Sequence, residues 1–154
     1  MLQEVAFKFR FENILKYREN IEKQKSLDFL NAEEAYNRQI KKIKILEEKR
    51  DEIFSSLKEI SSSPNFDIIS FNMLRSFALK IENDIRFERE ILFQLKEIME
   101  LKRQELIKAS QEKKVMEKLR EKDYNNYIDF MNKKETIELD EISSKAYNKR
   151  NQTG

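Results

Sequence analysis

One cluster of helix-breaking residues, Ser61-Ser62-Ser63-Pro64-Asn65-Phe66-Asp67, interrupts a chain that has no other Pro and whose one Gly is its last residue, Gly154. Proline lacks the amide donor that a helix interior uses and pushes the residue before it, Ser63, towards extended backbone. Ser, Asn and Asp side chains accept from the free amides of a helix that starts after them. The reading is two long helices joined by one turn. Ser63, Asp67 and Ser70 are all candidate caps for the second helix, and none is followed three residues later by the Glu or Gln that would single it out.

Before the turn, Phe29, Ala32, Tyr36, Gln39, Ile43, Leu46, Arg50, Ile53, Leu57 and Ile60 recur at alternating intervals of three and four. After it, Leu74, Ala78, Ile81, Ile85, Glu88, Leu92, Leu95, Met99, Lys102, Leu106, Ala109, Lys113 and Met116 recur at intervals of four and three. Such a repeat is a coiled-coil seam, and a short connection makes the two helices antiparallel, so that one seam faces the other. The expected fold is all-α, an antiparallel coiled-coil hairpin forming a single domain. Helix 1 is placed at about 10–61, the turn at 62–66, helix 2 at about 67–147 and a short tail at 148–154. At about 1.5 Å per residue these helices measure ~78 and ~120 Å, so roughly forty Å of the second overhangs. The overhang carries Leu119, Tyr124, Tyr127, Ile128, Phe130 and Met131, apolar residues that suggest a binding surface. Phe77, Ile91, Ile98 and Leu119 also widen the second stripe beyond a minimal two-stranded contact. Gln39, Arg50, Glu88, Lys102 and Lys113 are polar within the seams, where such residues fix register at a cost in stability.

Composition then narrows the function. The chain of 154 residues contains no Cys and no His, which removes disulfides, thiol nucleophiles, imidazole chemistry and the common zinc sites. A lone terminal Gly supplies no phosphate-cradling loop. An enzyme, a metal site and a cofactor are therefore not expected. With 31 basic against 29 acidic residues, the net charge of +2 offers no one-sign field for nucleic acid or anionic lipid, so neither is an expected partner. Acid precedes base at i,i+4 in Glu12–Lys16, Glu19–Lys23, Glu34–Arg38, Glu82–Arg86 and Glu141–Lys145. Each such pair adds only about 0.2–0.5 kcal/mol and marks a solvated face rather than a carboxylate site. No apolar run approaches the roughly 20 residues that cross a bilayer, so a cytosolic chain without direct membrane insertion is expected.

The N-terminal Phe7-Lys8-Phe9-Arg10-Phe11 alternates apolar and basic residues, as a short strand does, but has no strand to pair with. It is either a frayed lead-in or an aromatic and arginine anchor at the open end of the hairpin, beside the C-terminal aromatics.

At its two ends the chain resembles the FliJ family, the coiled-coil component of the bacterial flagellar type III protein-export apparatus. The N-terminal stretch from Phe7 to Glu19, FKFRFENILKYRE, is similar to the family's phenylalanines followed by Leu and then Arg-Glu. The C-terminal stretch from Glu138 to Tyr147, ELDEISSKAY, is similar to its Glu/Lys, Leu/Met, Asp, Glu pattern ahead of a basic tail, with Ser143 where Ala is common. The resemblance implies a stalk, monomeric alone, whose open end enters the hexameric flagellar export ATPase and promotes ring assembly. It also implies a link to the cytoplasmic domain of the export gate and handling of export chaperones, at the inner membrane periphery. On this resemblance Arg10, Leu15, Arg18, Glu19, Leu119, Tyr127, Asp140 and Glu141 face the ATPase. Leu46, Ile53, Leu74, Ala78, Ile81 and Ile85 correspond to the gate-binding surface, and they also belong to the seams, where plain core packing explains them. A generic coiled-coil adaptor, the stalk of a virulence-type secretion system and a homodimeric tether are the alternative readings.

Overall fold

The computed structural model describes residues 6–154 and holds two helices, α1 (Glu12–Ser62) and α2 (Ile68–Gln152), with no strand among the described residues. Two compact units divide the chain. One joins the N-terminal residues through Glu22 to Ala109–Gly154, and the other is Lys23–Lys108.

Within Lys23–Lys108 the helices pair antiparallel: Lys25 meets Glu105, Gln39 meets Glu88, and Ile53 packs with Ala78, Ile81 and Ile85. These last four form a buried cluster with Leu46, Leu57 and Leu74 partly buried against it, and Ile43 is buried as well. No seam residue anticipated in this unit is exposed. The polar seam positions acquire partners of their own. The Gln39 side-chain amide donates to the Glu88 carboxylate and, at 3.0 Å, to its backbone carbonyl, while Lys42 Nζ sits 2.7 Å from the same carboxylate. Lys42 and then Gln39 hold the Glu88 carboxyl below its ordinary range. Lys102 reaches Glu105 at 3.4 Å, and Lys25 meets that carboxylate at 3.2 Å. A buried polar layer satisfied in only one alignment is what sets register in a seam whose apolar residues repeat.

The ends of the helices have local causes. Glu12 N–H donates to the Phe9 carbonyl at 3.2 Å, so a turn at Arg10 and Phe11 delays α1 to Glu12, two residues later than expected. In the turn, Ser63 N–H donates to Ile60 O at 3.2 Å, and the hydroxyls of Ser61 and Ser62 both donate to Lys58 O at 2.9 Å. Asp67 caps α2: its carboxylate accepts from Ile69 N–H at 3.0 Å and from the Ser70 hydroxyl at 2.7 Å. At the far end Lys149 and Arg150 favour the negative pole of the helix, and the Thr153 hydroxyl donates to Lys149 O at 3.0 Å. These groups carry α2 to Gln152, beyond the expected 147.

The Asp67 cap is pH-sensitive. The Ser70 hydroxyl first, and then the Ile69 amide, hold its carboxyl below the ordinary Asp range. A group whose folded-state pKa is depressed stabilises above the ordinary range, and that contribution is lost as pH falls through the depressed value. Amide protection at Ile69–Phe71 is therefore expected to drop on acidification more steeply than in the middle of α2. Asp67→Asn keeps an acceptor without the titration, so its protection should stay flat with pH. Equal acid sensitivity in both proteins would remove this cap as the cause.

Candidate functional site

The unit formed by the N-terminal residues and Ala109–Gly154 gathers the aromatic lead-in onto α2. The Phe7 ring packs edge-on against Tyr124 at 5.3 Å and tilted against Tyr127 at 5.5 Å. Phe9 is buried and meets Phe11 edge-on at 6.0 Å, and the Arg10 guanidinium lies over the Phe11 ring at 4.6 Å, its own side chain in solvent. The segment is docked on α2 beside the C-terminal aromatics rather than frayed. Aromatic contacts of this kind contribute about 0.5–1.5 kcal/mol each beyond the area they bury.

Ion pairs stitch the first turns of α1 to α2 in this unit. Arg18 pairs with Glu112, Glu22 with Lys113 at 3.0 Å, and Glu12 with Arg120 at 3.4 Å. Glu12 thus engages a residue on the other helix, where the sequence suggested Lys16. Lys113 chiefly, with the Ser110 hydroxyl, depresses the Glu22 carboxyl, and Glu22 in turn raises Lys113. The pair therefore loses strength on acidification through the depressed carboxylate and again at high pH through the raised amine. Beside Arg120 a groove of about 510 Å³ opens, lined also by Phe7, Leu15, Glu19 and Tyr124 among others.

Six of the eight residues assigned to ATPase contact fall in this cluster, in different states. Arg10 is exposed, Leu15 is 4% exposed and packed inside, and Arg18, Glu19, Leu119 and Tyr127 are half-buried. Asp140 and Glu141 are exposed but lie apart, about 20 Å along α2 from Tyr127 by helical rise. They line a surface hollow with Ile137, Ser144 and Lys145. The six residues assigned to the gate belong to the other unit. Ile53, Ala78, Ile81 and Ile85 form a buried cluster there, with Leu46 and Leu74 packed on them. Phe7, Phe9, Arg120 and Tyr124 also shape the terminal cluster, although none of them is among the residues assigned to ATPase contact. The aromatic alternation signalled the first two, whereas nothing in the sequence signals the Glu12–Arg120 pair. Among the described residues no helix is long and apolar enough to cross a membrane, and no acidic cluster is arranged to hold a metal.

Fold and site together define an antiparallel two-helix coiled coil that carries an aromatic, ion-paired terminal cluster. The family model described as Flagellar FliJ protein matches residues 7–152, nearly the whole chain, and the chain belongs to that family. Membership makes it a component of flagellar protein export. No curated protein and no solved structure matches the chain.

Proposed function

We propose that the protein is the stalk of the flagellar export apparatus, binding the hexameric export ATPase through its terminal cluster and promoting ring assembly and turnover. The observation that supports this reading is the docked lead-in: Phe7 packs on Tyr124 and Tyr127, and the Arg10 side chain stays in solvent over the Phe11 ring. Rigid, partly exposed aromatic and arginine side chains are what anchors of protein interfaces are made of. Asp140 and Glu141 would add a second contact farther along α2.

A rod of two helices touches only part of a six-fold ring at once. Its binding therefore favours some subunit states over others, and that difference in affinity biases assembly or turnover without chemistry in the stalk itself. The same chain would link the ATPase to the cytoplasmic domain of the export gate, through the segment around Leu46, Ile53, Leu74, Ala78, Ile81 and Ile85, and would engage export chaperones. It would act in the cytoplasm, peripheral to the inner membrane.

The test is ATP turnover and ring mass of the cognate ATPase across a concentration series of this protein. Stimulated turnover with more hexamer is expected, and Arg10→Glu with Arg18→Glu should reduce both while leaving helicity intact. An active ATPase that ignores the folded protein would sink the stalk reading in favour of a generic adaptor.

A further inference from the structure

The outer face of α2 within Lys23–Lys108, turned away from α1, carries a second apolar stripe that the hairpin leaves open. Leu79, Phe87, Phe93, Leu101 and Ile107 are 55, 62, 63, 57 and 43% exposed. They follow one another at intervals of eight, six, eight and six residues, about one for every two turns, and none belongs to the seam. Against the seam they occupy the two heptad positions on either side of the one farthest from α1, a stripe about 100° wide. Single exposed Leu or Phe residues need no explanation, but a period kept from Leu79 to Ile107 does.

The stripe reads nearly the same in both directions. Leu79 and Ile107 each lie fourteen residues from Phe93, while Phe87 and Leu101 lie six and eight from it. A second α2 laid antiparallel about a twofold axis beside Phe93 and Gln94 sets Phe93 against its own copy. The same register sets Phe87 against Leu101 and Leu79 against Ile107. A twofold interface must be self-complementary in this way, whereas an unrelated helix would have to match the spacing by chance. Beside that axis, Arg89, Glu90, Phe93 and Gln94 line a shallow hollow of about 390 Å³, a seat for the opposite Phe93 ring.

We propose that the chain pairs with a second copy of itself through the outer face of α2, antiparallel and centred on Phe93 and Gln94. Five half-exposed side chains from each copy cover on the order of 1,000 Å², the lower limit for a specific interface. Charge tempers the pairing. In the same register Arg86 approaches Glu100 of the second copy, but Glu90 faces Glu97 and Lys80 faces Lys108, and like charges in apposition oppose association. The dimer is weak and forms with rising concentration, which leaves the monomer free for other partners when dilute.

Sedimentation of the full chain tests this. The mass should climb with concentration from 18.7 kDa towards twice that value. Phe93→Asp, at an exposed position, should weaken association at least tenfold with unchanged helicity, and Glu97→Lys, which turns two repulsions into attractions, should tighten it about tenfold. The chain has no cysteine, so introduced thiols report geometry directly. Gln94→Cys, beside the axis, should oxidise to a covalent dimer, whereas Ser76→Cys, on the same face but remote from its own copy, should not. A single 18.7 kDa species at every concentration, an association indifferent to Phe93→Asp, or equal cross-linking at both positions would each overturn the proposal.

Discussion

Ile85→Ala should destabilise the hairpin by about 2–4 kcal/mol, read as a lower urea midpoint with little change in folded helicity. Ile85 is 2% exposed and packs with Ile53, Ala78 and Ile81, so the substitution removes apolar contact and leaves a void that two stiff helices close poorly. A two-helix seam has few such residues, and each carries a larger share of total stability than it would in a globular core. The same variant bears on the proposed gate contact. If gate binding falls only in step with the loss of stability, Ile85 acts through packing. If binding is lost at temperatures where the variant remains fully folded, the segment is recognised in its own right. A loss of stability under about 0.5 kcal/mol would contradict the packing described here.

Phe9→Ala should release the N-terminal lead-in while the seams persist. Phe9 is 7% exposed and supports both the Phe11 ring beneath Arg10 and the path that brings Phe7 to Tyr124 and Tyr127. Burial of a Phe side chain favours the docked state by about 2–3 kcal/mol, so its loss should raise the fraction undocked by tenfold or more. Tryptic cleavage after Lys8 and Arg10 reports this directly, because a protease needs an extended, undocked substrate. Phe7→Ala, which removes a half-buried ring, should do the same more weakly. Cleavage at the parental rate in Phe9→Ala would show that the lead-in is held by something other than this ring. In the stalk reading both variants also lose ATPase stimulation.

The seams were legible because burial in a two-helix rod depends on one variable, the angle around each helix. Intervals of three and four fix that angle, and every residue so assigned, from Phe29 to Met116, is kept from full exposure. The terminal cluster was legible in part. Alternating Phe residues and downstream Tyr residues marked the two halves, but which ring meets which depends on the register between helices, and a periodic pattern leaves register open by whole turns. Glu12 illustrates this: the local rule offers Lys16, yet Arg120 lies closer once the helices are aligned. The cap at Asp67 had two rivals because all three side chains accept hydrogen bonds and only the backbone path decides which one reaches the Ile69 amide. The outer stripe of α2 escaped because one apolar residue per two turns is too sparse to register as a seam.

Beyond Met131, α2 continues to Gln152 with nearly every side chain in solvent. A helix without a packed face relies on intrinsic propensity, and over some twenty residues that leaves its end close to balance between coil and helix. Such a segment exchanges on the order of once per microsecond, far faster than partners diffuse apart. A protein that captures Ile137, Leu139 or Ile142 must therefore supply the entropy of ordering them. The bond it forms will be short-lived for its area, with a heat capacity change larger than the contact alone explains. For a component of flagellar protein export, rapid release is a property written into the lone helix itself.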